Sequence, residues 1–81
     1  EDPAPEYYSG LAGCLLALSE LSKAGEIIDA GIKRYSYDAE LYYYRAWLNR
    51  DRYRLDEAHA DARKAIELGA NKNKVDALFT R

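Results

Sequence analysis

The stretch AELYYYRAWLNRDRYRLDEAHADARKAIELGAN, residues 39–71, decides the fold of this protein. Two runs of helix-forming residues lie in it, separated by the polar group RDRYR. Asp38 is suited to cap a first helix over 39–51, since its carboxylate can accept from free backbone N–H groups. Gly69 suits the left-handed position that follows a second helix, over 55–68. The stretch therefore predicts two helices joined by a short turn.

A second copy of this pattern lies earlier in the chain, at a constant offset. The identical pairs are Glu6 with Glu40, Tyr8 with Tyr42, Ala12 with Ala46, Leu21 with Leu55, Ala24 with Ala58, and Ile32 with Ile66. Self-similarity at a fixed period of about 20–50 residues is typical of proteins built from stacked repeats. The period of about 34 residues seen here indicates a repeating helix–turn–helix unit.

The remaining helices follow from the same signals. The pattern predicts a first helix over 6–18 and a second that begins after Ser19, its N-cap, and ends near Arg34. Asn73 begins a capping arrangement in front of a short last helix over 75–81. No run of alternating β-branched residues competes with these helices. The sequence therefore predicts an all-α protein of about five helices.

The chain divides into an N-terminal segment and one helical domain. Pro3 and Pro5 favour an extended backbone at the start. The predicted parts are an extended segment over 1–5 and a single domain over 6–81, made of a repeat over 5–38, a repeat over 39–72, and a cap or partial third repeat over 73–81.

Both units resemble tetratricopeptide repeats, and residues 39–71 are the clearer copy. The resemblance implies an α-solenoid of stacked antiparallel helix hairpins. It assigns repeat packing to large rings and to small residues, namely Tyr8, Ala12, Ala24 and Gly31 in the first unit and Tyr42, Ala46, Ala58 and Ala65 in the second. The chain departs from the family at Ser19 and Tyr53, where a glycine is usual, and at Arg45 and Asn49, where an aliphatic residue is usual.

The small residues have a direct packing role. Ala58, Ala62 and Ala65 are spaced by four and three residues, so they share one helix face. Small side chains allow a neighbouring helix to approach closely and leave space for a large side chain. We expect the rings of Tyr8 and Tyr42 to fill these spaces.

The aromatic residues of the third helix are the candidate binding site. Tyr42 falls on the face of Ala46, whereas Tyr43 and Trp47 lie together on another face. The resemblance implies that this second face lines a concave groove for a peptide or a partner helix. The full predicted partner-binding set is Tyr43, Trp47, Arg50, Glu40, Ser9 and Gly13. Two interpretations of Tyr43 and Trp47 stay open: they contact a partner, or they pack against the last helix.

Other kinds of chemistry receive little support. The chain has one histidine, His59, and one cysteine, Cys14, for which we expect a buried apolar role. No nucleophile–base pair, metal-ligand set or phosphate-binding motif is recognisable, so the prediction is a non-enzyme without cofactor or metal. The run NRDRYR is basic and aromatic, but acidic neighbours and a net charge of −2 disfavour nucleic acid as a partner. No apolar run approaches the length of a membrane span.

The sequence thus predicts a protein–protein interaction module, a piece of a longer protein, that binds a peptide or helical segment on its concave face. The alternative is a structural spacer within a larger assembly, without a free groove. Self-association through the ends of the repeat stack is a third possibility. We expect a soluble protein, with the cytoplasm slightly favoured because a single cysteine fits a reducing compartment.

Overall fold

A computed structural model describes residues 3–80 of the chain. Its elements are α1 (Pro5–Ala17), α2 (Leu21–Arg34), α3 (Ala39–Asp51), α4 (Leu55–Glu67), α5 (Lys72–Asp76) and a 3-10 turn (Ala77–Phe79). No strand occurs in this part of the chain, so the all-α prediction with about five helices is confirmed. Glu1 and Asp2 of the predicted extended segment, and Arg81 of the predicted last helix, lie outside the described residues.

Helix boundaries recur at the period seen in the sequence. Helices α1 and α3 begin one period apart and have 13 residues each, and the starts of α2 and α4 are separated by the same period. Helix α1 packs on α2, and α3 packs on α4, across three-residue links that make each pair a hairpin. Helix α3 also contacts α1 and α2, while α5 contacts α4. The molecule measures 39 × 26 × 17 Å, and its smallest dimension fits two layers of helices.

Side-chain caps begin two of the helices. Asp38 accepts a hydrogen bond from the backbone N–H of Leu41 at 3.2 Å, as expected for the N-cap of α3. Asn71 accepts from the N–H of Lys74 at 3.1 Å and is the N-cap of α5. The last helix therefore starts at Lys72, earlier than expected from Asn73, and continues as a 3-10 turn.

Ser19 is not an N-cap. It lies just beyond the end of α1 and adopts a left-handed backbone conformation, with φ of 60°. Tyr53 (φ 62°) and Gly69 (φ 111°) adopt positive φ at the equivalent places after α3 and α4. In each case the next residue's N–H bonds back across the turn, as in Glu20 N–H to Leu15 O at 2.8 Å. These are Schellman-type ends, which explains why a capping hydroxyl was a wrong interpretation of Ser19.

Most of the buried apolar side chains form two clusters, one centred on each hairpin. The N-terminal cluster contains Ala12, Leu16, Ala24, Ile28 and Leu48, and the C-terminal cluster contains Tyr42, Ala46, Ala62, Ala65, Val75 and Leu78. Tyr8 lies against Gly31, where an added Cβ would stand 2.8 Å from the Tyr8 Cβ. Ala58 is fully buried. Cys14, expected in the core, is exposed, because none of the helices within residues 3–80 covers its side of α1.

A polar trio replaces apolar residues in the second hairpin. Arg45 donates to both carboxylate oxygens of Asp61, at 3.1 and 2.9 Å, and Asn49 donates to the same carboxylate at 2.8 Å. Asp61 is buried, and every buried side-chain polar atom among the described residues has a partner. In the first hairpin the equivalent positions hold Leu11, Leu15 and Ile27. The trio therefore packs as a matched set where the other hairpin uses aliphatic side chains.

Candidate protein-binding surface

Three aromatic side chains of α3 meet on one side of the molecule. The ring centroids of Tyr43 and Tyr44 are 5.1 Å apart, those of Tyr44 and Trp47 6.1 Å, and those of Tyr43 and Trp47 6.4 Å. These separations lie in the range of favourable aromatic pairs. We call Tyr43, Tyr44 and Trp47 the aromatic cluster.

The aromatic cluster packs against the core on one side and is partly exposed to solvent on the other. Tyr43 packs on the C-terminal cluster and Tyr44 on the N-terminal cluster, while Trp47 packs on both. All three residues have intermediate exposure. The two interpretations of Tyr43 and Trp47 are therefore compatible, since the same rings pack internally and present surface to solvent.

Helix α1 supports the cluster from one side. A Cβ built on Gly13 would lie 3.1 Å from the Tyr44 hydroxyl oxygen, so the ring of Tyr44 covers Gly13. Ser9, one turn earlier, directs its hydroxyl to the carbonyl of Glu6 at 3.5 Å. Tyr44 was not among the partner-binding residues predicted from the sequence. The pairing of a glycine on α1 with a large ring on α3 was the available signal.

Burial raises the pKa of the Tyr44 phenol above its ordinary value, and the nearby Glu40 carboxylate raises it further. The hydroxyl therefore stays protonated well into the alkaline range. It offers a hydrogen-bond donor at the edge of the cluster that faces α1.

The C-terminal segment supports the cluster from the other side. The Lys74 ammonium donates to both carboxylate oxygens of Glu40, at 3.1 and 2.9 Å, and lies 4.6 Å from the centroid of the Tyr43 ring. The hydrogen bond to Glu40 raises the pKa of Lys74 against the opposing effect of burial. Lys74 was not predicted from the sequence, although it stands one repeat period after Glu40 and so occupies the same repeat position.

Arg50 fixes the far end of the cluster. Its guanidinium donates to the Leu78 carbonyl oxygen at 2.7 Å and to Asp51 at 3.0 and 3.2 Å. Asp51 also accepts from the indole N–H of Trp47 at 3.1 Å, and the Arg50 guanidinium carbon lies 5.9 Å from the Trp47 ring. Arg50 therefore holds Trp47 and the 3-10 turn in place.

The other candidate groups are placed as follows. His59 stacks on Phe79 with ring centroids 4.1 Å apart. Over residues 3–80 no group of three or more histidine, cysteine, aspartate or glutamate side chains could hold a metal ion, and no helix is long and apolar enough to cross a membrane. Among the arginines, Arg45 and Arg50 of α3 pair with Asp61 and Asp51, and Arg52 in the turn after α3 donates to the Leu21 carbonyl at 3.2 Å.

Comparisons with protein-family models, with curated proteins and with solved structures gave no significant match. The resemblance to tetratricopeptide repeats therefore rests on the sequence pattern alone. The structure shows an all-α chain with a partly exposed aromatic cluster on α3.

Proposed function

We propose that this protein is a protein–protein interaction module whose aromatic cluster binds a peptide or helical segment of another protein. The observation that supports this proposal is the arrangement of Tyr43, Tyr44 and Trp47, whose rings pack against the buried clusters yet stay partly exposed to solvent. Large aromatic side chains contribute a disproportionate part of the binding energy at interfaces. Rings that are already held by neighbours lose little further conformational entropy when a partner binds.

The neighbouring charges indicate how a ligand would be recognised. Lys74 is paired with Glu40, and Arg50 with Asp51, so both basic groups beside the rings are already neutralised. Recognition would depend on the rings more than on net charge. The ligand that fits this surface is a segment with aliphatic or aromatic side chains. Capture of a terminal carboxylate is disfavoured. Tetratricopeptide repeats that bind such a group use lysine and asparagine at the positions that the resemblance assigns to Ser9, Gly13, Tyr43 and Trp47.

The test is a selection of peptides from a displayed random library on the protein. Binding is then measured through Trp47, whose emission reports directly on the cluster because it is the only tryptophan. The double variant Tyr43→Ala/Tyr44→Ala should lose at least about tenfold in affinity, equivalent to about 1.4 kcal/mol. The matched control is Tyr37→Ala/Tyr53→Ala, which removes two tyrosines that are 68% and 90% exposed elsewhere on the surface.

Circular dichroism on each variant checks that the helices are retained. Equal affinity of the selected peptides for both double variants would contradict the proposed site. The same conclusion would follow if the peptides changed the emission of Trp47 only through unfolding.

A structural spacer is the second candidate function, and one observation favours it. The residues that would line the groove already contact one another: Tyr44 covers Gly13, Lys74 donates to the Glu40 carboxylate, and Arg50 donates to the Leu78 carbonyl. In a spacer, the residues along this face would be satisfied by contacts with one another and would bind no ligand. Repeated failure to select any peptide that shifts Trp47 emission would support the spacer over the interaction module.

A further inference from the structure

Helix α1 carries an uncovered apolar stripe along one side. Tyr7, Cys14 and Leu18 are spaced by seven and four residues, so they fall on the same face. Tyr7 is 54% and Leu18 72% exposed, and Cys14 is exposed between them. Glu6 is the only charged residue of the whole helix. A helix with so little charge is ordinarily covered on more than one side.

The same repeat positions are covered in α3. The residues one period after the stripe are Leu41, Leu48 and Arg52, and the two leucines are 0% and 3% exposed. Their cover is α2. A Cβ on Gly31 would stand 3.0 Å from a methyl carbon of Leu41, and a Cβ on Gly25 3.5 Å from one of Leu48. The two glycines, six residues apart, let α2 lie directly on this face of α3.

The contact between α2 and α3 continues past the end of α3, and an equivalent contact joins α4 and α5. Arg52, the counterpart of Leu18, donates to the carbonyl of Leu21 in the first turn of α2 at 3.2 Å. Val75, one further period after Leu41, is fully buried in the C-terminal cluster with Ala65 of α4. This repeat position is therefore buried wherever the second helix of the preceding hairpin lies beside it. It is exposed at Tyr7.

We infer that the stripe formed by Tyr7, Cys14 and Leu18 is a docking surface for the second helix of another helical hairpin. The docking helix presents small residues at the positions that Gly25 and Gly31 occupy in α2, because larger side chains would hold the two helices apart. The interface continues the α2–α3 contact already present in the molecule.

A second folded copy of this chain does not offer such a helix. In each copy Gly25 of α2 is covered by Leu48 and Arg52, Gly31 is covered by Tyr8 and Leu41, and Ala65 of α4 packs with Val75. Association of two copies would have to use some other contact, such as α1 against α1. The occupant we assign is therefore a hairpin helix that is not already packed within this domain.

The experiment adds one hairpin to the chain. A copy of residues 5–38 carrying Cys14→Ser is fused directly ahead of Pro5, which preserves the repeat period and leaves Cys14 of the original chain as the only thiol. Docking of the added helix should slow maleimide alkylation of Cys14 by at least about tenfold relative to the parent chain, or about 1.4 kcal/mol. Fusion supplies a high effective concentration, so a competent surface must be occupied.

The control is Gly25→Leu in the added hairpin alone. In the parent chain Gly25 faces Leu48 of α3 and Arg52 just after that helix, so the larger side chain blocks docking without entering the hairpin's own core. This variant should return alkylation to the rate of the parent chain. An unchanged rate in the first fusion overturns the inference. So does protection of Cys14 in the parent chain that increases with concentration together with a dimer in sedimentation, since a second copy would then be the occupant.

Discussion

At the scale of single residues, backbone conformation and side-chain size explain most of what is unusual here. Ser19 and Tyr53 adopt positive φ at the ends of α1 and α3, where Gly69 does so after α4. A side chain in the left-handed region costs about 1–2 kcal/mol because its Cβ approaches the following carbonyl oxygen. Two of these three left-handed helix ends, Ser19 and Tyr53, therefore carry a strain that a glycine would not have.

Tyr53→Gly is predicted to stabilise the protein by about 0.5–1 kcal/mol. The left-handed conformation suits glycine, and the added entropy of the unfolded chain offsets only part of the gain. Tyr53 is 90% exposed, so its ring contributes little packing. Urea unfolding measures the change. Tyr53→Ala is the control, since alanine keeps the Cβ; a gain as large for alanine as for glycine would contradict the explanation from strain.

Glycine at position 31 is required by packing. Gly31→Ala should destabilise the protein by about 1–3 kcal/mol, because the new methyl group would overlap Tyr8 and press on Leu41. Gly10→Ala is the matched control in α1, where a Cβ meets nothing within 4 Å. It should stabilise by about 0.5–1 kcal/mol through helix propensity. Thermal or urea unfolding of both variants gives the comparison, and effects of the same sign would refute it.

At the scale of elements, the two hairpins share a backbone plan but fill it differently. The first hairpin has Leu11, Leu15 and Ile27 at the repeat positions where the second has Arg45, Asn49 and Asp61. Burial opposes the charge of Arg45, but the hydrogen bonds and charge of Asp61 raise its pKa overall. The polar set is stable because its members satisfy one another; one of them alone in an apolar site would be costly.

Asp61→Ala should therefore destabilise the protein by about 2–3 kcal/mol, because Arg45 and Asn49 lose their shared acceptor. The triple variant Arg45→Leu/Asn49→Leu/Asp61→Ile copies the first hairpin. Its free energy of unfolding should be higher than that of the wild type or lie within about 1 kcal/mol of it, since no polar group is left unpaired. The measurement is chemical unfolding of both variants. A triple variant less stable than Asp61→Ala would show that the trio is not an independent unit.

At the scale of the whole molecule, α3 is the central element. It contacts α1 and α2 on one side, α4 on another, and the 3-10 turn near its end. Trp47 joins the two buried clusters, and Lys74 and Arg50 tie the C-terminal segment to the same helix. The proposed binding surface lies on the best supported helix of the fold, so its rings are preorganised.

The alkaline stability of the protein should reflect this arrangement. The pKa values of Tyr44 and Lys74 are raised in the folded state, by burial and by the hydrogen bond to Glu40 respectively. The unfolded chain therefore releases these protons first as the pH rises. The stability that these raised pKa values contribute is fully present below about pH 10, and it is lost as the pH rises through the pKa values of the folded state.

Tyr44→Phe should show a smaller loss of unfolding free energy than the wild type between about pH 9 and about pH 11. Urea unfolding across that range measures the two curves. Tyr37→Phe, at an exposed position, is the control and should follow the wild type. Parallel curves for Tyr44→Phe and the wild type would contradict the assigned effect of burial.

Much of the fold could be predicted from local chemistry. Asp38 as a cap, Gly69 as a helix end and the recurrence of the two units depend on residues close in sequence or on a shared period, and these signals are present in the chain as written. The predicted bounds of α3 agree with those observed. Ser19 was misassigned because its hydroxyl suggested a cap, whereas the backbone hydrogen bonds of the turn select the left-handed conformation.

The candidate site was only partly predictable for a related reason. Helical periodicity brought Tyr43 and Trp47 together, because neighbours on one helix face follow from spacing alone. The covering of Gly13 by Tyr44, the reach of Lys74 to Glu40 and the exposure of Cys14 each depend on how separate helices lie against one another.

The amino-acid sequence by itself thus determined the helices, their hairpin order and the period at which they recur, because these follow from interactions within a few residues and from a repeated pattern. Only the tertiary structure decided which face of each helix is covered. Burial is a property of a side chain and its neighbours together, and one repeat position can therefore be exposed as Tyr7 and fully buried as Leu41.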